Sequence, residues 1–184
     1  QNDAPTAANN TVTTIEDTDH TFDASEFNFT DVDGDSLDHI SIETLPSEGT
    51  LLLNGVAVTL GQDIPLADIS TLVFRPVADE NGSGYDSFTF SVNDGTVDSG
   101  TYTMTVDVTP VNDAPTAVDD TDSVMVSNTV TDLTNGAGSV ISDDTDPDSD
   151  PLSVGAISFG GGAPFVVSTG TDRLTTLVTW STHS

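Results

Sequence analysis

The amino-acid sequence predicts an all-β protein, a seven-stranded Greek-key β-sandwich followed by a partial or divergent second β unit. Three observations lead to this fold class. Short runs alternate apolar with polar residues, which is the period of a half-buried strand. An Asn-Gly pair between two apolar runs is typical of a tight hairpin. Two short sequence motifs that contain aspartate occur twice, at offsets of 110 and 115 positions. This spacing indicates a tandem repeat about as long as a β-sandwich domain.

The predicted strands follow one another along residues 1–115. Alternation is carried, in chain order, by Phe27 and Phe29, by Ile40 and Ile42, by Phe88, Phe90 and Val92, and by Tyr102, Met104, Val106 and Val108. Asn54 and Gly55 join residues 51–53 to 56–58 as a hairpin, since both turn positions need positive φ. Residues 72–74 predict another strand, and residues 66–69 are the only segment in which we expect a helical turn.

The repeated motifs indicate the domain organisation. The sequence of residues 2–7 returns letter for letter at 112–117, and the acidic run at 31–35 has a counterpart at 146–150. We expect a first domain over residues 1–109 and a linker over 110–115, which prolines at both ends stiffen. The second domain, residues 116–184, is predicted to be truncated or divergent because only 69 residues follow the linker. The chain begins at Gln1 without a signal peptide, so we expect a fragment of a longer protein.

The charge balance is strongly acidic. The chain has 31 acidic residues, two arginines and no lysine, for a net charge of −29. Binding to nucleic acid or to an anionic membrane relies on Lys and Arg, so both partners are excluded. A disordered acidic tail is one interpretation, but the β-branched and aromatic runs argue against it. A folded protein neutralised by divalent cations is the favoured one, and a saline habitat is compatible with it.

Cysteine and long apolar runs are both missing from the sequence. Without cysteine, disulfides cannot stabilise the fold, and bound metal could take over that role. No apolar run reaches the roughly 18 residues of a membrane span.

Residues 31–35 form the pattern most typical of a metal site. Asp31, Asp33 and Asp35 offer three carboxylates at alternate positions around Gly34. Calcium prefers six to eight oxygen ligands, and such a loop can wrap around it. An EF-hand is excluded, because the sixth position from Asp31 is not Gly and the twelfth is Ile42. The alternative is a solvated acidic turn, since Asp and Gly favour turns.

Catalytic patterns are missing. The three histidines have no metal or catalytic spacing, and no zinc-protease, nucleophile-elbow or phosphate-loop motif occurs. Paired carboxylates serve glycoside hydrolysis, but here they lie in Asp-rich turns of a chain with one Trp. We therefore expect no enzymatic activity.

The order of several sequence motifs along the chain resembles that of a cadherin repeat. More closely, it resembles the cadherin-like tandem repeats of large bacterial surface adhesins of the repeats-in-toxin type. The motifs are residues 29–35, Gly49-Thr50-Leu51, residues 88–95 and residues 106–115. The resemblance covers residues 1–115 and then 116–154. It implies cadherin/immunoglobulin-like sandwiches joined end to end, with calcium in the joints.

Carried over residue by residue, the resemblance implies two groups of calcium ligands. The joint between the domains would take Glu16, Asp79, Glu80, Asn112, Asp113, Asp146 and Asp148. The opposite end of the first domain would take Asp3, Asp31, Asp33 and Asp94. Two departures from the family pattern predict fewer or weaker ions: Thr109-Pro110 stands where the linker usually begins with Asp, and Ser127-Asn128-Thr129 replaces Glu16-Asp17-Thr18.

The sequence thus predicts a calcium-binding, non-enzymatic structural or adhesion module of a bacterial surface or secreted protein. Its partners would be neighbouring repeats of the same chain, and its location extracellular or at the cell surface. A calcium-dependent polysaccharide-binding module is the alternative from another class, and a self-associating, homophilic module is a third.

Overall fold

Strands form where the sequence alternates apolar and polar residues. The computed structural model describes residues 2–118, 144–153, 156–157 and 165–166. By their internal packing, the residues fall into two units, Gln1–Asn112 and Asp113–Ser184. The described part of the first unit contains β1 (Asn10–Ile15), β2 (His20–Thr21), β3 (His39–Thr44), β4 (Thr50–Leu53), β5 (Val56–Ala57), β6 (Asp63–Pro65), β7 (Leu72–Arg75), β8 (Gly82–Asn93) and β9 (Tyr102–Thr109).

The nine strands make two sheets. One has five strands in the order β1-β9-β8-β3-β6, and the other has four in the order β2-β7-β4-β5. Within the first sheet β1 runs parallel to β9, whereas the other neighbours are antiparallel. Alternate side chains of each strand point to opposite faces, so each sheet has one apolar face to bury. The predicted all-β sandwich is confirmed.

The core lies where the apolar faces of the two sheets meet. Phe88, Phe90 and Val92 of β8 are buried there, as are Leu72 and Phe74 of β7. Aromatic rings pack edge to face across this core. Phe22 meets Phe88 at a centroid distance of 5.6 Å, and Phe27 meets Phe90 at 4.9 Å. Such pairs stabilise by about 0.5–1.5 kcal/mol beyond the area they bury.

The predicted hairpin and helical turn are both present. Asn54 and Gly55 connect β4 to β5 with φ of 51° and 78°. Residues 72–74 lie in β7, and the predicted helical turn is a 3-10 helix at Leu66–Thr71. The strand count exceeds the predicted seven because β2 and β5, of two residues each, are too short for an alternating pattern to reveal.

The strand predicted from Phe27 and Phe29 is wrong. Phe27 ends a 3-10 helix, Ala24–Phe27, and Asn28 follows in a left-handed conformation with φ 49°. A capping box begins this helix, since Asp23 accepts from the Ser25 backbone and Glu26 accepts from the Asp23 backbone, each at 2.9 Å. These bonds compete with strand pairing, and Phe27 reaches the core from a helical turn instead.

A buried carboxylate connects β8 to the turn that precedes β4. Asp86 is 6% exposed and lies at an irregularity in the β8–β9 pairing. It accepts backbone hydrogen bonds from Ser47, Glu48 and Gly49 at 2.8–3.0 Å. Burial raises the pKa of Asp86, but these bonds together outweigh it, so the pKa is lowered below its usual value.

The second unit is described only in part. Residues 156–157 form β10 (Ala156–Ile157), which pairs antiparallel with β11 (Phe165–Val166). Thr116 pairs with Thr145 in an isolated bridge, as Thr6 pairs with Thr30 in the first unit. Most of the second domain predicted over residues 116–184, including residues 127–129, lies outside the described residues. Among the described residues, no helix is long and apolar enough to cross a membrane.

Candidate metal-binding loops

The loop at residues 31–35 is organised by one carboxylate. Oδ1 of Asp31 accepts hydrogen bonds from the backbone N–H groups of Asp33, at 2.8 Å, and Asp35, at 3.1 Å. Gly34 has φ +84°, which lets the chain turn back between them. The three aspartates therefore face a common centre, and their nearest carboxylate oxygens all lie within 4.8 Å of one another.

One oxygen of this loop has no protein partner. Oδ2 of Asp31 is buried and accepts no hydrogen bond, although Oδ1 of the same carboxylate accepts two. A buried, unpaired carboxylate oxygen is costly, and a cation removes that cost. The cluster offers carboxylate oxygens, which are the hard ligands that calcium prefers. The residues therefore fit the calcium ion that the resemblance implies.

The N-terminal segment lies against this loop. The backbone N–H of Asp3 donates to Oδ2 of Asp33 at 2.6 Å, and the side chain of Asn2 donates to Oδ2 of Asp94 at 2.8 Å. The bond from Asn2, and then the one from the Val97 backbone, hold the pKa of Asp94 below its usual value. Residues 2–3 thus link the loop that holds Asp33 to the loop that holds Asp94. We call Asp3, Asp31, Asp33, Asp35 and Asp94 the N-terminal acidic face.

A second acidic group lies where β1 and β9 end. Glu16 is only 2% exposed. Its carboxylate accepts hydrogen bonds from the side chain of Asn81, at 3.1 Å, and from the backbone N–H of Val111. Beside it, the backbone N–H of Asp79 donates to Oδ1 of Asp17 at 3.3 Å, and both aspartates have positive φ. Glu16, Asp17, Asp79 and Glu80 form what we call the C-terminal acidic face of the first unit.

Glu80 is engaged by a tyrosine. The hydroxyl of Tyr85 donates to Oε2 of Glu80 at 2.7 Å. Burial, and then this bond, raise the pKa of Tyr85 to about 12, so the tyrosine stays a neutral donor at any physiological pH.

Asn112, a predicted ligand, directly follows Val111, whose backbone N–H donates to the carboxylate of Glu16.

The two faces lie at opposite ends of the first unit. Strand β8 begins directly after Asn81 at one face and ends directly before Asp94 at the other, and it has 12 residues. At about 3.3 Å per residue, it separates the faces by roughly 35–40 Å. The two faces are therefore separate, and they cannot share a ligand.

The described part of the second unit repeats the geometry of the first acidic loop. The backbone N–H of Asp150 donates to Oδ1 of Asp146 at 3.0 Å, as Asp35 does to Asp31. The backbone N–H of Asp113 donates to Oδ2 of Asp148 at 2.6 Å, as Asp3 does to Asp33. Both repeated motifs thus fold in the same way in each unit.

Three residues near these groups were not identified from the sequence as site residues: Asn2, Asp17 and Asn81. Asn2 belongs to a repeated motif and Asp17 follows Glu16, so both had a signal nearby. Asn81 follows the predicted Glu80, but nothing in the sequence indicated its contact with Glu16, which is 65 positions away.

Positive charge is missing around the acidic faces in the described residues. Arg75 is the sole lysine or arginine there, and it forms a bidentate pair with Asp19 at 2.7 and 2.8 Å. The hydrogen bonds from Arg75 lower the pKa of Asp19. No lysine or arginine of residues 2–118 is thus left to neutralise the loops.

Comparison with known proteins identifies one family. A family model described as "Bacterial Ig domain" matches residues 2–109. Integrin beta-like protein A of Dictyostelium discoideum is 30% identical over 115 residues, which are 62% of this chain and 6% of that protein. The chain therefore spans only about a sixteenth of the length of this curated relative. No solved structure matches the chain.

Proposed function

Because residues 2–109 place the chain in the bacterial Ig domain family, we propose that it is a non-enzymatic, calcium-binding module of a bacterial surface or secreted protein. More finely, we propose that it is a cadherin-like repeat of a large adhesin of the repeats-in-toxin type. The name of the integrin beta-like relative is compatible with an adhesion role at the cell surface.

One observation carries the calcium proposal. The buried Oδ2 of Asp31 lacks a hydrogen-bond donor inside a cluster of three carboxylates. When bound, calcium would supply the positive charge that offsets their repulsion. Asp31, Asp33 and Asp35 would hold it in the first unit, and Asp146 and Asp148 would do so in the second. Extracellular modules of this kind bind calcium with dissociation constants of about 10⁻⁴–10⁻³ M.

We extend the proposal to the linker. In the first unit Glu16 accepts from the backbone of Val111, and in the second unit Asp148 accepts from the backbone of Asp113. Each unit thus holds the nearer part of the linker by a carboxylate. Calcium bound by Glu16, Asp79, Glu80 and Asn112 in the first unit, and by Asp113 in the second, would neutralise these carboxylates and stiffen the linker.

The first test compares two variants that each remove one negative charge. Asp31→Asn keeps an oxygen to accept from Asp33 and Asp35 but loses the charge of the buried carboxylate. Glu48→Gln is the control, since Glu48 is exposed and offers only its backbone N–H to Asp86. We expect Asp31→Asn to weaken calcium binding about tenfold or more, because affinity follows ligand charge. Glu48→Gln should leave the affinity unchanged.

Isothermal titration of the chelator-treated chain measures the affinity, and calorimetric melting measures the stabilisation. Sodium chloride at matched ionic strength controls for screening. The proposal is wrong if calcium neither releases heat nor raises Tm above the sodium control. It is also wrong if Glu48→Gln weakens binding as much as Asp31→Asn. Stiffening of the joint is a separate question, and small-angle scattering with and without chelator answers it.

The polysaccharide-binding alternative finds no support in the described residues. Sugar recognition commonly uses exposed aromatic faces, whereas every Phe and Tyr of residues 2–118 is buried or half-buried. We therefore do not propose it.

A further inference from the structure

The first and last strands of the first unit are neighbours and run in the same direction. β1 pairs with β9 in parallel over six consecutive residue pairs, from Asn10 with Met104 to Ile15 with Thr109. The chain enters the unit just before β1 and leaves it just after β9. A pull on the two ends of the chain therefore acts at opposite ends of this strand pair.

This geometry determines how the pair responds to tension. When the load enters at opposite ends, the strands are sheared and all ladder hydrogen bonds share the load. When it enters at the same end, the bonds open one after another. We propose that the β1–β9 pair is a load-bearing clamp, which lets the first unit transmit tension along the chain without opening. This inference goes beyond the proposed calcium function and holds in the absence of calcium.

Side-chain hydrogen bonds reinforce the clamp at both ends of the ladder. Before β1, the side chain of Asn9 accepts from the backbone N–H of Thr103 at 2.8 Å. At the far end, the hydroxyl of Thr109 donates to the carbonyl of Thr14 at 3.0 Å. These bonds cross between the first and last strands, so each must break before the strands can slide.

Glu16 lengthens the clamp past the end of the sheet. Its backbone N–H donates to the carbonyl of Thr109 at 3.0 Å, and its carboxylate accepts from the N–H of Val111. Val12 and Thr14 of β1 are buried, so the strand is also held by packing on the core. The exit of the chain from the unit is thus tied to the end of the entry strand.

The decisive experiment compares two pulling directions on the full chain in chelator. The chain contains no cysteine, so single cysteines provide unique attachment points. When the pulling handles are attached at the two chain ends, the force shears the clamp. Handles at the N-terminus and at Gly100→Cys load β1 and β9 from the same end, and a Cβ at Gly100 meets nothing within 4 Å. Opening of the first unit is recognised by the extended length of the chain between the handles. That length is roughly 330–360 Å for the 100 residues from Asn10 to Thr109 when the chain ends are pulled, and roughly 300–330 Å for residues 10–100 when one handle is at Gly100→Cys.

We expect a several-fold higher unfolding force in the shearing direction. Equal forces in the two directions would overturn the proposal.

Two variants test which hydrogen bonds resist the pulling force. One removes a bond of the clamp, and the other is a control elsewhere in the same sheet. Asn9→Ala removes the bond to Thr103. Thr44→Val, on β3, removes the hydroxyl pair between Thr44 and Thr89 of β8 and the bond that the Thr44 hydroxyl accepts from the Thr89 backbone N–H. Under constant shearing force, Asn9→Ala should raise the unfolding rate roughly fivefold, the value of one hydrogen bond that is lost in the transition state. Thr44→Val should leave that rate nearly unchanged.

Denaturant titration of both variants shows whether each has folded and what it loses at equilibrium. The two variants are compared at an equal loss of free energy of unfolding. If Thr44→Val then speeds forced unfolding as much as Asn9→Ala, the β1–β9 pair is not the clamp and the proposal fails. If Asn9→Ala does not fold, Thr109→Val tests the same pair from its other end.

Discussion

Individual aspartates of this chain have two different environments, and hydrogen bonding distinguishes them. The carboxylate of Asp86 is surrounded by backbone donors from the turn at residues 47–49. The carboxylate of Asp31 has two donors on one oxygen and none on the other, which is buried. The first arrangement is complete within the protein and stabilises the fold. The second is incomplete, and we therefore propose it as a ligand.

Replacing Asp86 by Asn should destabilise the first unit in a pH-dependent way. The amide group of Asn would place N–H groups opposite backbone donors, at a cost of about 1–3 kcal/mol near neutral pH. The pKa of Asp86 is lower in the folded state than the unfolded value of about 3.9. Its stabilisation is therefore present above that value and is lost as the pH falls through the folded pKa.

Urea denaturation of both proteins, near neutral pH and at about pH 3, measures the effect. The difference in free energy of unfolding should shrink at the lower pH. A difference that is the same at both values would mean that the charge of Asp86 does not stabilise the fold.

Among the secondary-structure elements, most of those with local signals were predicted, whereas the pairing of distant strands was not. β8 and β9 follow from alternation, and the β4–β5 hairpin follows from Asn54 and Gly55. The 3-10 helix at Ala24–Phe27 was missed although Asp23 and Glu26 form a recognisable capping box. The parallel pairing of β1 with β9 joins residues 94 positions apart, and no local pattern encodes it.

In the acidic loops, too, local spacing could be predicted from the sequence, but contacts between distant residues could not. The spacing of Asp31, Asp33 and Asp35 predicted that they share a loop, and the structure places them together. The contact of Asn2 with Asp94 spans 92 positions, so only the fold reveals that the N-terminal segment links two loops. Asp86 is a single acid in a strand, and its role depends on a turn 37–39 positions away.

Gly49→Ala should disrupt the contact between the turn before β4 and strand β7. A Cβ at Gly49 would lie 2.2 Å from Cζ of Phe74, whose ring is fully buried, and 2.9 Å from the carbonyl oxygen of Arg75. Neither group can move without disturbing the core. We expect a loss of about 1–3 kcal/mol, typical of an overpacked core.

Thermal and urea denaturation measure this loss. Gly100→Ala is the matched control, since the added Cβ meets nothing within 4 Å, and it should be neutral or slightly stabilising. Similar losses for both variants would show that the contact with Phe74 is unimportant.

The whole molecule carries a net charge of −29, and its described cation Arg75 is already paired. Like charges at this density oppose the compact state. Salt screens them, since the Debye length falls from about 30 Å at 0.01 M to about 3 Å at 1 M. Sodium should therefore stabilise the chain by screening its overall charge repulsion, whereas specific metal binding should not be reproduced by sodium.

We expect sodium chloride to raise the Tm of the chelator-treated chain steadily between about 0.01 M and 1 M, because it weakens this repulsion. Asp31→Asn should show the same salt dependence, since it changes one charge among many. Differential scanning calorimetry in chelator measures both curves. A Tm that does not depend on salt would mean that self-repulsion contributes little to stability.

The length of β8 has a consequence for how the first unit responds to ions. The strand holds the two acidic faces roughly 35–40 Å apart, several times the Debye length of about 8 Å at physiological ionic strength. The electric potential of one face therefore decays almost completely before it reaches the other. Through space, the charge on one face therefore has almost no effect on the other, so the two ends of the unit are not coupled electrostatically.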